Sequence, residues 1–244
     1  MRVLVRWRVT CLHFLLIGIR MFRILKVIFF CFFLLQGYFF VQVLWVSQKN
    51  PESTAFMAEQ KKQLGKKNPN LTLHYTWTNY RSISPYIKKA VIASEDANFS
   101  IHDGVDWDAL EKAAKENVAR GKVKRGGSTI TMQLSKNLFL SAKQSYLRKA
   151  QEMLITGMVE LVMDKRRILE LYLNVAEWGV GVFGIEAAAQ HYYGIHAAQL
   201  SPEQAAWLAA ILPAPRHFDQ ARNSAWLEQK ADIILGRMSS VKIP

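Results

Sequence analysis

The stretch RGGSTITMQLSKN, residues 125–137, sets two glycines before a dense run of polar side chains. Gly126 and Gly127 leave the backbone free to approach a ligand closely. The polar groups that follow are Ser128, Thr129, Thr131, Gln133, Lys136 and Asn137. They offer hydroxyls, amides and a cation within a dozen residues, which is typical of a binding site. The alternative is a glycine loop before an ordinary helix capped by Ser128 or Thr129.

Other polar motifs lie on both sides of this stretch. Upstream, residues 95–106 read EDxxFxxHxGxD, and downstream, residues 148–152 read RKxxE. Four more blocks follow in the chain: KxxILExYLN at 165–174, GIxAA at 184–188, HYYG at 191–194 and AAILPxP at 209–215. Any one of these blocks would be weak evidence of function, but their fixed order is a strong indication.

In these motifs the chain resembles the monofunctional biosynthetic peptidoglycan transglycosylases, which are related to the glycosyltransferase domain of class A penicillin-binding proteins. The resemblance covers roughly residues 80–215. It implies a mainly α, lysozyme-like domain with a small membrane-facing lobe between Glu95 and Glu152. It also implies an inverting enzyme that polymerises lipid II into glycan strands and releases undecaprenyl pyrophosphate.

The same resemblance implies roles for individual residues. Glu95 would be the general base for the acceptor's 4-hydroxyl, while Lys136 and Arg148 would bind the donor's pyrophosphate. Glu152 would orient the donor or a divalent cation, either magnesium or manganese. Ser128, Thr129, Gln133 and Asn137 would line the same cleft. Spacing alone allows another interpretation, because Arg148 and Glu152 lie one helical turn apart and could form a solvated ion pair.

The chain departs from the family pattern at Met132, where a second glutamine usually stands beside Gln133. A thioether cannot replace the hydrogen bonds of an amide. Because every charged position of the motifs is retained, we expect position 132 to be peripheral to the substrate.

An apolar segment near the N-terminus predicts a single transmembrane helix. Residues 27–46 contain no charge, and about 20 helical residues span the ~30 Å core of a bilayer. The preceding basic residues are Arg2, Arg6, Arg8, Arg20, Arg23 and Lys26. The positive-inside rule then places the N-terminus in the cytoplasm and the rest in the periplasm, anchored to the inner membrane. A cleaved signal peptide is disfavoured, since the apolar run is longer than a usual signal core.

The charge and cysteine content of the chain indicate which partners and bonds to expect. The chain has 32 basic and 19 acidic residues, for a net charge of +13, which suits an anionic membrane surface or a pyrophosphate. We expect no nucleic-acid binding, because no aromatic-basic recognition motif is present. Both cysteines, Cys11 and Cys31, precede the outer part, so we expect no disulfide there.

The domain organisation predicted from these patterns has five parts. They are a cytoplasmic N-terminus at 1–26, a transmembrane helix at 27–46, a stalk or linker at 47–79, the glycosyltransferase domain at 80–220, and a C-terminal helix or tail at 221–244. Helices are expected from Ser84-Pro85 and Ser201-Pro202, which pair a capping serine with proline at the first helical position.

Two other functions are consistent with parts of the pattern. A lysozyme-like cell-wall hydrolase could use the same fold with acidic catalysis, but it would need no phosphate-binding cations. A non-catalytic membrane scaffold of the wall-synthesis machinery would not need Glu95, Lys136, Arg148 and Glu152 together. Lipid II, the growing glycan strand and the membrane are the expected partners, with proteins of the division or elongation complexes as further candidates.

Overall fold

The computed structural model describes residues 2–67, 72–119, 126–141, 143 and 145–244, so Arg125 of the opening stretch lies outside the described residues. Two compact units are present, residues 1–42 and residues 43–244.

The first unit is formed by helix α1, which runs Arg2–Gln48 and continues into the second unit. Within it, Arg20–Gln48 is one helix of 29 residues that is long and apolar enough to cross a membrane, and only 6% of its most apolar window is buried. Phe29, Phe30 and Val41 are each more than half exposed. A core helix of a soluble protein would be covered, so this exposure agrees with the predicted N-terminal span.

Ten helices and three short strands of the second unit lie in the part of the chain that the structure describes. The helices are α2 Ala55–Lys67, α3 Pro85–Glu95, α4 Trp107–Ala119, α5 Ile130–Phe139, α6 Tyr146–Val162, α7 Lys165–Val175, α8 Ile185–Tyr193, α9 Pro202–Ile211, α10 Pro215–Gln220 and α11 Ala225–Arg237. The strands are β1 His74–Tyr75, β2 Glu177–Gly179 and β3 Val182–Phe183. The mainly α class is therefore confirmed.

The strands form a small sheet in the order β1-β3-β2. His74 pairs with Val182 in parallel, whereas β2 runs antiparallel to β3. Gly184 adopts a φ of 81°, and a Cβ there would lie 2.7 Å from the Asn174 carbonyl oxygen, so the turn from β3 into α8 requires glycine.

The helix starts follow the local chemistry of the sequence. The Ser84 hydroxyl accepts a hydrogen bond from the Tyr86 backbone N–H, with Pro85 as the first helical residue. Ser201 caps α9 through the Gln204 N–H, and the Gln204 side chain bonds back to Ser201. Both predicted starts are confirmed.

Helix α5 lies between α2, α6 and α7, while α11 packs on α9 and on α3. The segments predicted as a stalk and as a tail therefore each contribute a packed helix. Met57 and Gln60 of α2 are buried, as are Leu227 and Ile234 of α11. Lys61, Lys62 and Lys66 are exposed, so they lie on the outer side of α2.

Candidate active site

Glu95 is the last residue of α3, and its carboxylate is held by two neighbours. Gln133 Nε2 donates to Glu95 Oε2 at 2.9 Å, and Ser94 Oγ donates to Oε1 at 3.2 Å. The Tyr172 hydroxyl donates to Gln133 Oε1 at 3.0 Å. Burial raises the pKa of Tyr172 well above its usual range, so the hydroxyl keeps its proton. This donor fixes the Gln133 amide with its nitrogen toward Glu95.

The quoted stretch forms a loop and then helix α5, whose N-cap is Thr129. The Thr129 hydroxyl accepts from the Met132 N–H at 3.2 Å and donates to the Gly104 carbonyl at 2.5 Å. The capped-helix alternative is therefore confirmed for Thr129. A capped helix can still carry a binding site, because Gln133 and Lys136 lie three residues apart and share one face of the helix. Both are half-buried among largely buried neighbours.

A cluster of cations surrounds Glu152 of α6. Arg148 Nη1 donates to Glu152 Oε2 at 2.6 Å, and Lys149 Nζ donates to Oε1 at 2.5 Å. Lys149 also donates to the Ser128 hydroxyl at 3.1 Å. The Arg148 and Glu152 side chains are only 16% and 3% exposed, so this is not the solvated ion pair that spacing alone suggested. Sequence reasoning did not assign Lys149, although the RKxxE motif contains it.

Two donors of this cluster have no partner among the described residues. Arg148 Nε is buried without a hydrogen bond, and Lys136 Nζ bonds to no described group. Burial lowers the pKa of Lys136, while the nearby Glu152 opposes that shift. A buried donor without an acceptor, such as Arg148 Nε, is costly unless a ligand supplies oxygen atoms. An anion such as pyrophosphate fits this need.

The loop after Glu95 is fixed by its own polar residues. His102 Nε2 bonds to Asp96 Oδ1 at 2.8 Å, and the Gly104 N–H donates to His102 Nδ1 at 3.1 Å. Asp106 accepts from the Ala109 N–H and from Asn98 Nδ2, both at 2.8 Å. Through these contacts His102 and Asp106 fix the shape of the loop.

Glu95 and Lys136 line two neighbouring cavities that share Gln133 and Pro213. The first, which we call the Glu95 cleft, has a volume of about 560 Å³ and includes Glu95, Ser128, Thr129 and Gln133. The second, the Lys136 pocket, has about 180 Å³ and includes Gln133, Lys136 and Asn137. Of the predicted residues, Arg148 and Glu152 line neither cavity, and they contact this region through Lys149 and Ser128.

Helix α11 brings residues into the Glu95 cleft that the sequence did not reveal. Trp226, Lys230 and Arg237 line it. Burial lowers the pKa of Lys230, and the negative charge of Glu95 opposes the shift. The Trp226 ring stacks on Phe218 with 5.1 Å between centroids and 1° between planes. No local pattern in the sequence points from residue 230 to Glu95, since only tertiary packing brings them together.

The Lys136 pocket also contains residues that the sequence analysis left unassigned. Glu177 lies in its wall and accepts two hydrogen bonds from Arg216, at 2.9 and 3.0 Å. Burial raises the pKa of Glu177, and Arg216 opposes the shift. Phe56 of α2 forms another part of the wall.

Met132 is 1% exposed and packs in the core. Met132 is not one of the described residues that line the two cavities. A methionine there leaves no buried amide without partners, which agrees with the expectation that position 132 is peripheral.

The donor set does not fit a divalent cation held by the protein. Both oxygens of Glu152 accept from cations, and the described residues contain no group of three or more histidine, cysteine or acidic side chains able to hold a metal. The cation that the resemblance implies would instead be a magnesium or manganese ion carried by the substrate's pyrophosphate.

Comparison with known proteins shows the family of the chain. A family model described as Transglycosylase matches residues 61–239. The chain belongs to this family of transglycosylases.

Several curated relatives cover most of the chain. The biosynthetic peptidoglycan transglycosylase of Herminiimonas arsenicoxydans is 59% identical over 211 residues, which is 86% of this chain and 91% of that protein. The protein of the same name from Janthinobacterium sp. (strain Marseille) is 58% identical with the same coverage. That of Bordetella avium is 53% identical over 88% of this chain and 91% of its own length. The resemblance seen in the motifs is thereby confirmed.

Proposed function

We propose that this transglycosylase polymerises lipid II into glycan strands with inversion at the donor sugar. The Glu95 carboxylate takes the proton of the acceptor's 4-hydroxyl, and the oxygen forms a bond to C1 of the donor. The bond from C1 to the phosphate oxygen breaks, and its electron pair leaves with undecaprenyl pyrophosphate. A single displacement of this kind inverts C1.

The observation that carries the proposal is the shared face of α5. Gln133 holds the Glu95 carboxylate, and Lys136, about one helical turn later, is a cation without a described partner. Gln133 and Lys136 are three residues apart, which is about 4.5 Å along the helix axis. The Glu95 cleft and the Lys136 pocket meet at Gln133 and Pro213, so a donor sugar bound there would have the base on one side and the phosphate-binding charge on the other.

The cations favour synthesis over hydrolysis. A departing pyrophosphate carries negative charge, and Lys136, Arg148 and Lys149 lie where they can stabilise it. A hydrolase that cleaves between two sugars has no phosphate to bind, so it would gain nothing from these buried charges.

The lipid tail of the substrate requires a place at the membrane. The candidate span of α1 supplies an anchor. The predicted membrane-facing lobe exposes large apolar side chains, with Ile101 82%, Tyr146 96% and Leu147 85% exposed, and such a surface suits lipid. We place the enzyme at the inner membrane with its catalytic unit in the periplasm, where lipid II and the growing strand are met.

The test is polymerisation by the purified full-length protein in detergent. Labelled lipid II should yield glycan strands, and the same preparation should not clear a suspension of cell walls. Wall clearing without strands would establish the hydrolase instead. A parallel reaction with a chelator tests the cation, since a loss restored by magnesium or manganese supports a metal carried by the pyrophosphate.

A further inference from the structure

Helix α2 reaches the Lys136 pocket from the segment that follows the membrane helix. The Thr54 hydroxyl accepts from the Met57 N–H at 3.1 Å and fixes the start of the helix. Met57 is buried, and α2 packs on α5. Phe56 is half-buried, lies edge-on to Phe183 with 6.1 Å between ring centroids, and lines the pocket.

The chain on the N-terminal side of α2 is held on the catalytic unit. Arg167 Nη2 donates to the carbonyl oxygens of Val46 and Lys49 at 2.9 and 3.0 Å, and its Nη1 donates to Asn50 Oδ1 at 2.9 Å. The Tyr75 hydroxyl donates to the Pro51 carbonyl at 2.6 Å. These contacts fix the segment before α2, so Phe56 has a defined position.

Polar groups of the same pocket lack partners in the described part of the chain. Asn137 is 7% exposed, and its amide makes no hydrogen bond to a described group. Lys136 beside it has none either. Polar groups that line a pocket and have no protein partner are available to a ligand. The pocket therefore suits a ligand that brings hydrogen-bonding atoms to Asn137 and Lys136 and an apolar surface to Phe56.

We propose that Phe56 is a substrate-binding residue that contacts the apolar face of a donor sugar ring, while Asn137 and Lys136 bind that ring's polar edge and the linkage to phosphate. A pyranose has both kinds of surface, with C–H groups on its face and hydroxyl or amide groups at its edge. This inference rests on the proposed function, because the donor is taken to be a lipid-linked sugar. It makes the segment after the membrane helix part of the active site.

The test compares ring-retaining and ring-removing variants of the full-length enzyme. Phe56→Tyr keeps a flat ring, Phe56→Leu keeps an apolar side chain, and Phe56→Ala removes both. Leu64→Ala is the matched control, because it truncates an apolar side chain of α2 that is not among the described residues lining the pocket. Initial rates of strand formation at varied lipid II give KM and kcat, and thermal unfolding is measured for each variant.

We expect Phe56→Ala and Phe56→Leu to raise KM for lipid II by roughly three- to tenfold, the range for losing one aromatic contact. Phe56→Tyr and Leu64→Ala should remain within about twofold of wild type. Equal KM for the leucine and tyrosine variants would show that Phe56 only fills space and would overturn the inference. These two variants also decide the case if Phe56→Ala does not fold. If wild type itself makes no strands, the proposed function fails. If wild type makes strands and Phe56→Ala and Phe56→Leu have the same KM as wild type, this inference alone fails.

Discussion

At the scale of single residues, the polar groups of the site differ in whether they are hydrogen-bonded within the protein. Gln133, which is predicted to line the substrate cleft, donates to Glu95 and accepts from Tyr172. These two bonds let it position the base. Lys136 and Arg148 Nε, in contrast, have unused donors, and these are the groups that can gain most from a substrate anion.

Replacing Glu95 by glutamine should abolish strand formation while the protein stays folded. The amide preserves the side-chain volume but cannot accept the proton of the acceptor hydroxyl, and loss of a general base typically lowers the rate ~10²–10⁴-fold. Single-turnover rates and circular dichroism of the variant measure the two effects. Polymerisation at the wild-type rate by a folded variant would remove Glu95 from the mechanism.

Lys136→Ala should impair use of the lipid-pyrophosphate donor with little loss of stability, because Lys136 has no described ion-pair partner. Arg148→Ala should lower both activity and melting temperature, since it also removes a partner from the buried Glu152. Arg148→Lys should be intermediate, because it keeps the charge but not the planar guanidinium. Strand assays beside thermal unfolding separate the cases, and normal strand formation by both alanine variants would refute the pyrophosphate site.

The lowered pKa of Lys136 predicts a pH effect. Its ammonium should lose its proton at a pH below the ordinary lysine value of 10.5, so kcat/KM for lipid II should fall as pH rises through that lowered pKa. At a pH between this lowered pKa and the ordinary value, Lys136 is protonated in the unfolded chain but not in the native protein. The contribution of this group to the free energy of unfolding therefore increases as pH rises. The loss of activity is therefore not unfolding driven by Lys136. In Lys136→Arg the decline should move to higher pH, and an unchanged profile would exclude this lysine as its cause.

At the scale of secondary-structure elements, the sequence predicted most of what is locally encoded. Capping serines and following prolines placed the starts of α3 and α9. The packed positions of α2 and α11 could not be predicted in this way. Their contributions depend on contacts across long stretches of chain, between Phe56 and the pocket of Lys136 and between Lys230 and the cleft of Glu95.

Helix α11 should be part of the active site and not a dispensable tail. Lys230 lies in the Glu95 cleft, so Lys230→Ala should lower kcat/KM for lipid II by about tenfold, the effect of losing one charge-assisted contact. Lys242→Ala, at an exposed lysine beyond the helix, is the control and should resemble wild type. If the two variants polymerise equally well, the C-terminal helix contributes packing alone.

At the scale of the whole molecule, the orientation in the membrane has to place the catalytic residues on the side where lipid II is met. The basic residues before the span and the uncharged residues 27–46 predict a cytoplasmic N-terminus, and the proposed reaction needs lipid II on the outer face. The two requirements agree only if the chain crosses the membrane once, with residues after the span outside. The orientation predicted from the basic residues among the first 26 is thus the one that the proposed reaction at Glu95 requires.

This orientation predicts the behaviour of reporter fusions. A fluorescent protein that matures only in the cytoplasm should stay dark when it is joined after Pro244, because the positive-inside rule sends that end across the membrane. The same reporter joined after Lys26, before the apolar run, is the control and should fluoresce. A periplasm-active reporter should give the opposite pattern at the two positions. Bright fluorescence after Pro244 would reverse the topology, and the catalytic unit would then lie on the wrong side of the membrane for the proposed reaction.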